Sequence, residues 1–498
     1  MAKSDKKKKA AKSKSGGLQV HVRMYCQGLG DCFLLRFETE KGKYFSMLID
    51  CGIYKASPDA GKIMNEIVDD VVEETGGHLN VLVSTHEHWD HISGFSQALK
   101  KFHDMTIDEV WQAWTEDPKD PIARDLRKKY EGAKAKLVGL MNQAQRAPGA
   151  ASRSLDEAYS VMGFFGVDKT SNEDGPYEDI KKLMKEKNPR FFSPGDIEEL
   201  GDTGVTAFIL GPPKSEAILK KQNMNKGEGY EKQHAAFFDS FETILGAAAF
   251  GIEDTIRDDD DADRNAQLRE TDRAYKPFDS RIEIPIEVAR QSAFFQTLYG
   301  FEPEHEEYFR SIDDLAYETL GNLALRMDNY INNTSLVIAL KLPSGDVLLF
   351  PGDAQAGNWR SWANLEKPLA FDEEKTDAHK LLAATVLYKV GHHGSHNATP
   401  KTFGLELMTH PELRALVPVD HEIAAAARYG EMPLVAIMAA LKEKTAGAVF
   451  RCDGDRKSLP KGVFEFSKKM LSIKTSPSGK YFERPMYCET SFDLGAAE

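Results

Sequence analysis

The sequence predicts an α/β fold in which two strand-rich regions flank a long, mainly helical insertion. Between residues 18 and 83, the apolar alternation typical of strands gives way to one helical period and then to another apolar strand. The same pattern returns from Ser335, whereas the stretch between is polar and broken by Pro and Gly clusters. Because strand, helix and strand in this order build layered sheets, we expect one α/β core interrupted by an insertion region.

The chain of 498 residues is longer than one ordinary domain of about 150 residues. We therefore divide it by composition and pattern. The expected units are a disordered basic tail (1–17), the first half of the core (18–100), a largely helical insertion region with one core strand near 204–211 (101–330), and the second half of the core (331–498).

Each element of the core follows from local pattern. The first helix is expected to start near Ser57-Pro58, because Ser caps helices and Pro suits the first helical position, and to stop at Gly76-Gly77. A helix over 121–144, capped by Asp120, is expected in the insertion region. The expected strands are 18–24, 32–37 and 44–49 with a turn at 40–43, then 81–83, 204–210, 336–342, 347–350 and 386–390.

Composition excludes several classes of protein. No apolar run approaches the roughly 18 residues of a membrane span, so we expect a cytoplasmic protein without membrane contact. The five cysteines form an odd set without C-x2-C spacing, which disfavours both a disulfide framework and a thiolate zinc site.

The net charge of −14 is unevenly distributed, since seven Lys and one Asp in the first sixteen residues leave about −20 on the remainder. An acidic body repels nucleic acid, so any contact with it needs the tail or a local basic segment such as 124–136. The alternative for the tail is a solvated, disordered arm.

Metal-binding side chains cluster in Ser84-Thr85-His86-Glu87-His88-Trp89-Asp90-His91, directly after a buried strand. His86 and His88 point the same way on extended backbone, and Asp90 and His91 can close on a second position. Imidazoles and carboxylates suit zinc, manganese or iron, and the spacing is not the H-E-x-x-H of helical zinc peptidases. We therefore expect one or two divalent metal ions, Zn or Mn, rather than a set of solvated loop residues.

Three further strand ends carry related chemistry. Asp353 follows an apolar strand and suits a bridge between two cations, although an Asp after Pro-Gly is also common in turns. The adjacent His392 and His393 suggest one ligand and one partner for the substrate or leaving group. Asp50 is suited to hydrogen-bonding a ligand imidazole.

In this order, Asp50, the His86–His91 cluster, Asp353 and His392 resemble the motifs of the metallo-β-lactamase fold superfamily. Within it, the chain more narrowly resembles the hydrolase domain of ComEC-type (competence DNA-uptake) proteins. That narrower resemblance rests on 27–32, 332–337, 350–353 and 390–395, with Tyr429-Gly430, Pro433, Arg451 and Asp453 where closing motifs would fall. It covers roughly 18–100, 200–214 and 331–470.

The resemblance implies a four-layer αβ/βα sandwich with the metals at strand ends between two sheets. His86 and His88 would bind one metal, Asp90, His91 and His392 the second, and Asp353 would bridge them. Asp90 would also orient a water and accept its proton, and His393 would protonate the leaving group or contact the substrate. Gly211 stands where the family usually has a further histidine, so the first metal position is one ligand short.

The expected function is metal-dependent hydrolysis, foremost by a phosphodiesterase or nuclease. The same site would serve a small-molecule ester, lactone or thioester hydrolase. A third alternative is a metal-stabilised interaction protein that binds a protein partner through the 101–330 insertion region. Asn333 and Ser335 either line the site or secure a strand end.

Overall fold

The computed structural model describes residues 17–146, 153–167, 175–230, 284, 286–300, 324–325, 327–363, 370–372, 376–426, 431–473 and 482–495. The basic tail at 1–16, most of 231–323 and Tyr429-Gly430 lie outside these residues. In the described part of the chain, no helix is both long and apolar enough to cross a membrane.

The strands fall into two large sheets and two small pairs. In chain order they are β1 (Gln19–Tyr25), β2 (Cys32–Glu38), β3 (Tyr44–Cys51), β4 (His78–Ser84), β5 (Thr106–Ala113), β6 (Pro189–Phe192), β7 (Ile197–Glu199), β8 (Thr206–Gly211), β9 (Val337–Lys341), β10 (Val347–Phe350), β11 (Ala370–Asp372), β12 (Thr376–Asp377), β13 (Thr385–Lys389), β14 (Arg414–Val417), β15 (Val449–Arg451), β16 (Glu465–Phe466), β17 (Met470–Ile473), β18 (Phe482–Pro485) and β19 (Tyr487–Asp493).

The helices lie between these strands. They are α1 (Ala60–Thr75), α2 (Trp89–Gln97), α3 (Leu99–Asp104), α4 (Pro121–Arg146), α5 (Arg153–Met162), α6 (Gly175–Glu186), α7 (Glu216–Leu219), α8 (Ile286–Gln291), α9 (Ala293–Tyr299), α10 (Ala356–Ala363), α11 (Ala378–Ala383), α12 (His421–Ala426) and α13 (Val435–Lys444). The predicted α/β class is confirmed.

The first sheet has the order β16-β19-β1-β2-β3-β4-β5-β6, and the second has the order β15-β14-β13-β10-β9-β8-β7. Strands β3 to β6 are parallel neighbours in the first sheet. In the second sheet, β10, β13, β14 and β15 are parallel neighbours. In each sheet, therefore, several strands end at a common carboxyl edge, where side chains from distant parts of the sequence can meet.

The alternation of each strand sends apolar side chains to two different cores. One buried cluster combines both sheets, and within it the rings of Phe33 and Phe350 pack edge to face at 5.7 Å. The intervening residues of the first sheet, such as Leu34, pack with Ile67 of α1 and Phe95 of α2. On the second sheet, Tyr388 packs with residues of α10 and α13. Helices thus cover one face of each sheet.

Local sequence signals set several element boundaries. Helix α1 ends at Thr75 because Gly76 adopts the left-handed conformation, with its N–H bonded to the carbonyl of Val72. The carboxylate of Asp120 accepts the N–H groups of Ile122 and Ala123, which confirms the predicted cap of α4. Helix α1 begins at Ala60 rather than at Pro58.

The 101–330 region contains more sheet than the sequence predicted. In addition to β8, the expected core strand, it contributes β5 and β6 to the first sheet and β7 to the second. Acidic residues in β5 mask its alternation, since Asp108 and Glu109 sit beside the buried Ile107 and Val110. The first core half therefore continues past residue 100.

Candidate metal centre

Carboxyl ends of parallel strands from both sheets bring the predicted site residues together. Asp50 lies at the end of β3, and the His86–His91 segment follows β4. Asp353 follows β10, and His392-His393 follow β13. This convergence could not be read from any one motif, because it needs the two sheets to pack with these edges adjacent.

Asp90, His91, Asp353 and His393 form a compact group in which one ligand atom of each lies within 4.8 Å of the others. Each is 1% exposed or less. Nε2 of His91 lies 3.1 Å from Oδ2 of Asp353 and 3.7 Å from Oδ2 of Asp90. Nε2 of His393 lies 2.8 Å from Oδ2 of Asp90. These four residues could hold a metal ion, and we refer to them as the four-residue group.

The buried side chains of this group shift one another's pKa values. Burial alone would lower the pKa of His91, but Asp353, Asp31 and Asp90 raise it well above its ordinary value. Burial opposes the charged form of Asp353 as well, yet His91 and Lys389 hold its pKa well below the ordinary value. The group is therefore a concentration of buried negative charge that needs nearby cations.

The remote nitrogen of each histidine in the group is fixed by an acceptor. Nδ1 of His91 lies 2.8 Å from Oδ2 of Asp50, and the N–H and hydroxyl of Thr85 hold that carboxylate at 2.8 and 2.7 Å. Nδ1 of His393 lies 2.8 Å from the carbonyl oxygen of Pro418, which can only accept. Nδ1 of each imidazole therefore carries a proton, and Nε2 is the atom directed into the group, as in a metal-binding histidine. The neighbouring carboxylates raise the pKa of both rings, so a metal ion would compete with a proton for Nε2.

The structure places His393 in the group and His392 outside it, whereas the sequence predicted His392 as the ligand and His393 as the contact to the leaving group or substrate. Both have positive φ values, 44° and 53°, so the chain turns sharply and their rings diverge. The backbone N–H of His392 donates to Oδ1 of Asp353, and its ring turns to Ser395, with Nδ1 2.8 Å from Oγ. Burial lowers the pKa of His392 to about 3, so this ring is neutral.

His86 and His88 form a separate pair beside the four-residue group. Nε2 of His86 lies 3.1 Å from Nδ1 of His88. In the described part of the chain, no third His, Cys, Asp or Glu joins this pair at ligand spacing. A Cβ atom on Gly211 would lie 2.0 Å from Oδ1 of Asn358. The position where the resemblance expects a histidine therefore has no space for a side chain.

Two observations are consistent with a divalent cation, one in the four-residue group and one in the His86–His88 pair. Oδ1 of Asp90 makes no hydrogen bond within the described residues, and Nε2 of His91 faces two carboxylate oxygens, those of Asp353 at 3.1 Å and Asp90 at 3.7 Å. Buried polar atoms without partners are rare and commonly mark an ion or water site. Two nitrogens bound to one zinc at about 2.0–2.1 Å lie roughly 3.3 Å apart, close to the separation in the His86–His88 pair.

A buried lysine completes the charge pattern. The ammonium of Lys389 donates to Oδ1 of Asp353 at 3.1 Å and to the carbonyl of Gly352 at 2.8 Å, and it forms an ion pair with Asp31. Burial would lower the pKa of Lys389, but Asp31 and Asp353 outweigh it and raise the pKa above its ordinary value. Lys389 is thus a permanent cation inside the centre.

Sequence reasoning gave no role to Lys389, Asp31 or Asp328, the last of which approaches the His86–His88 pair. Oδ1 of Asp328 lies 3.7 Å from Nε2 of His88, and both side chains are 1–2% exposed. A lysine in the otherwise apolar strand β13 was a usable signal, because a buried ammonium requires acidic partners. Asp328 carried no comparable signal, since it lies in the insertion region outside any recognisable motif.

Asn333 and Ser335 have different roles. Asn333 accepts the N–H groups of Gln355 and Asn358 and donates to carbonyls of the 219–221 segment, so it secures the chain. Ser335 accepts the N–H of Asp353 at 3.0 Å, and its hydroxyl lies 3.3 Å from Nδ1 of His86. Ser335 therefore contacts the candidate centre directly.

Part of the insertion region covers the pair. The ring of Phe165 lies 5.0 Å from that of His88, edge to face, and Phe164 lies 6.3 Å away. A cavity of about 30 Å³ beside Glu87, lined also by residues of α4 and by Tyr330, offers space for roughly one water. The ring of His88 is therefore shielded by aromatic side chains of the insertion region.

No family model matches this chain, and no curated protein matches it. The role of the centre therefore has to be argued from its geometry and chemistry.

Proposed function

We propose that this protein is a metal-dependent hydrolase that cleaves phosphodiesters, with nucleic acid as the foremost substrate class. The observation that carries the proposal is the four-residue group, in which two carboxylates and two oriented imidazoles converge inside the protein. A divalent cation held there, Zn²⁺ or Mn²⁺, would supply Lewis acidity and an acidic water at neutral pH.

The chain's own residues have distinct roles in this proposal. His91, His393 and Asp353 are ligands, since each turns one atom into the group while its remaining polar atoms are bonded elsewhere. Asp90 contributes Oδ2 to the group and has Oδ1 available to orient a water and accept its proton. His86 and His88 form a weaker second position. His392 faces Ser395 and is assigned to substrate contact rather than to metal binding.

The arrangement supports membership of the metallo-β-lactamase fold superfamily and its ComEC-type hydrolase group. Two sheets share one apolar cluster, and helices cover the other face of each sheet, as a four-layer sandwich requires. The ligands follow strands at adjacent carboxyl edges, and they occur in the order of the superfamily motifs.

Charge on helix α4 supports a nucleic-acid substrate. This helix lines the cavity beside Glu87 with Leu126, Arg127 and Tyr130. Its exposed side chains include Arg124, Lys128 and Lys136 together with Asp125 and Glu131, and along the helix seven Lys and Arg outnumber two Asp and Glu. An acidic protein needs such a local patch to approach phosphates.

A small-molecule hydrolase is the second candidate, and the aromatic side chains over the His86–His88 pair favour it. The cavity beside Glu87 has about 30 Å³, and a nucleic-acid strand entering there would require α4 and Phe164-Phe165 to move. An ester, lactone or thioester could react at the same group of ligands.

A metal-by-substrate screen separates these possibilities. Chelator-treated protein would be reloaded with Mn²⁺, Zn²⁺ or Mg²⁺ and assayed on plasmid, single-stranded DNA, RNA, bis-p-nitrophenyl phosphate and a lactone. We expect loss of hydrolysis on chelation and recovery with Mn²⁺ or Zn²⁺ on phosphodiesters. Recovery on the lactone alone would select the second candidate, and full activity without metal would refute both.

A further inference from the structure

Lys389 and Asp31 form a buried ion pair that the proposed chemistry does not use. Both residues are 1% exposed. The ammonium has three acceptors, namely the carboxylate of Asp31, the carbonyl of Gly352 and Oδ1 of Asp353. Since an ammonium has three donors, all of them are occupied and its position is fixed.

The loop that carries Asp31 is itself fastened to the centre. The N–H of Asp31 donates to the carbonyl of Asp90 at 3.0 Å, and the carbonyl of Asp31 accepts the N–H of Gly52 at 2.9 Å. A Cβ atom on Gly30 would lie 2.6 Å from the Asp90 carbonyl oxygen, so this approach requires glycine. The Gln27–Cys32 motif thus anchors Asp31 against the backbone of a ligand.

The consequence appears at the two oxygens of Asp353. Oδ1 is taken by Lys389 at 3.1 Å and by the N–H of His392 at 2.9 Å. Oδ2 lies 3.1 Å from Nε2 of His91 and 3.9 Å from Nε2 of His393. We infer that Lys389, held by Asp31, is a positioning residue of the metal centre that reserves Oδ1 of Asp353 and leaves Oδ2 as its single ligand atom.

The inference rests on the proposed metal centre, and a double variant tests it separately. Lys389→Met alone has two opposing effects on metal affinity. Loss of the positive charge strengthens the attraction for a metal ion, whereas release of Asp353 weakens binding by leaving that ligand less well oriented. Asp31→Asn combined with Lys389→Met removes one charge of each sign, so the local net charge is unchanged. The double variant loses the hold on Asp353 and also the Asp31 carboxylate 3.7 Å from Nδ1 of His91, which remains bonded to Asp50. Replacing both members of a buried pair also costs less stability than removing one.

The measurements are the melting temperature and the dissociation constants of Mn²⁺ and Zn²⁺, determined by chelator competition on metal-free protein. We expect each single variant to melt lower than the double variant. In the double variant, metal affinity should fall about 10- to 100-fold, as for loss of other groups that orient ligands. Asp31→Asn alone should bind metal more weakly still, because the positive charge of Lys389, no longer balanced by Asp31, stays beside the site and repels a cation.

Arg23→Met with Asp70→Asn is the matched control, since these residues form a buried pair 2.7 Å apart on β1 and α1. It should lower the melting temperature and leave metal affinity unchanged. A double variant at 31 and 389 with wild-type metal affinity would overturn the inference and leave the proposed hydrolase standing. Failure of the wild-type protein to bind Mn²⁺ or Zn²⁺ would overturn both.

Discussion

The four-residue group and the His86–His88 pair lie side by side, with the rings of His86 and His91 only 4.2 Å apart, yet they are built differently. The four-residue group draws on the ends of β4, β10 and β13 and includes two carboxylates. The pair comes from one loop after β4 and has no carboxylate at ligand spacing within the described residues. We therefore expect the stronger metal binding at the four-residue group.

The surroundings widen this difference. Acidic neighbours raise the pKa of His91, whereas burial lowers the pKa of His88 to about 4. A cation is attracted to the first environment by two carboxylates inside the group, and to the second mainly by imidazole lone pairs, with Asp328 as the carboxylate beside His88. We expect about one tightly held ion per chain, with any second ion weakly bound at the pair.

Asp90→Ala should have the largest effect on activity. It removes a ligand of the group and the carboxylate oxygen available to accept a proton, so kcat on bis-p-nitrophenyl phosphate should fall about 10³-fold or more. Asp70→Ala, which removes another buried carboxylate on α1, is the control and should lower the melting temperature without a comparable loss in kcat. A small effect of Asp90→Ala would remove the group from the chemistry.

The adjacent histidines give the second test. His393→Ala deletes a ligand of the group, so metal affinity should fall by more than the roughly 10- to 100-fold typical of changes behind a ligand. His392→Ala should leave metal affinity within about threefold and act on KM or kcat, because its ring faces Ser395 and Asn332. Chelator competition on both variants decides the assignment, and equal losses of affinity would contradict it.

The sequence indicated which segments meet at the candidate centre, but not which side chain of each segment points into it. Strand and helix patterns indicated the α/β class, and Asp and His directly after strands indicated 86–91 and Asp353 as candidate site residues. Both signals are local properties of the sequence. The choice between His392 and His393 depends on two left-handed residues in succession, a conformation that histidine seldom adopts and that no pattern announces.

Long-range packing accounts for the other differences. The resemblance expects a histidine where Gly211 stands, but only the structure shows Asn358 filling that space. Lys389 and Asp31 are 358 positions apart, and their pairing requires both sheets to be in place. The strand β5 was missed because acidic residues interrupt its apolar alternation.

His86→Ala tests the His86–His88 pair. Its effect should be smaller than that of Asp90→Ala or His393→Ala in the four-residue group. It removes one nitrogen of a pair that, among the residues the structure describes, has no third ligand within reach of both rings, so kcat should fall by about tenfold. The content of tightly bound metal should stay near one ion per chain by elemental analysis. Two tightly held ions in the wild-type protein, one of them lost in His86→Ala, would show that the pair is a full site.

Asp328→Asn should give the smallest change. Its carboxylate lies 3.7 Å from Nε2 of His88, too far for a direct hydrogen bond, so it favours the orientation of that ring mainly through charge. Because asparagine keeps the shape and the bond with Asn332, the fold should be retained. Mn²⁺ affinity of the four-residue group should be unchanged, and weak binding at the pair should fall less than about tenfold. If Asp328→Asn lowered the Mn²⁺ affinity of the four-residue group as much as His393→Ala does, the group and the His86–His88 pair would be one site. An ion shared by both would then transmit the effect of Asp328.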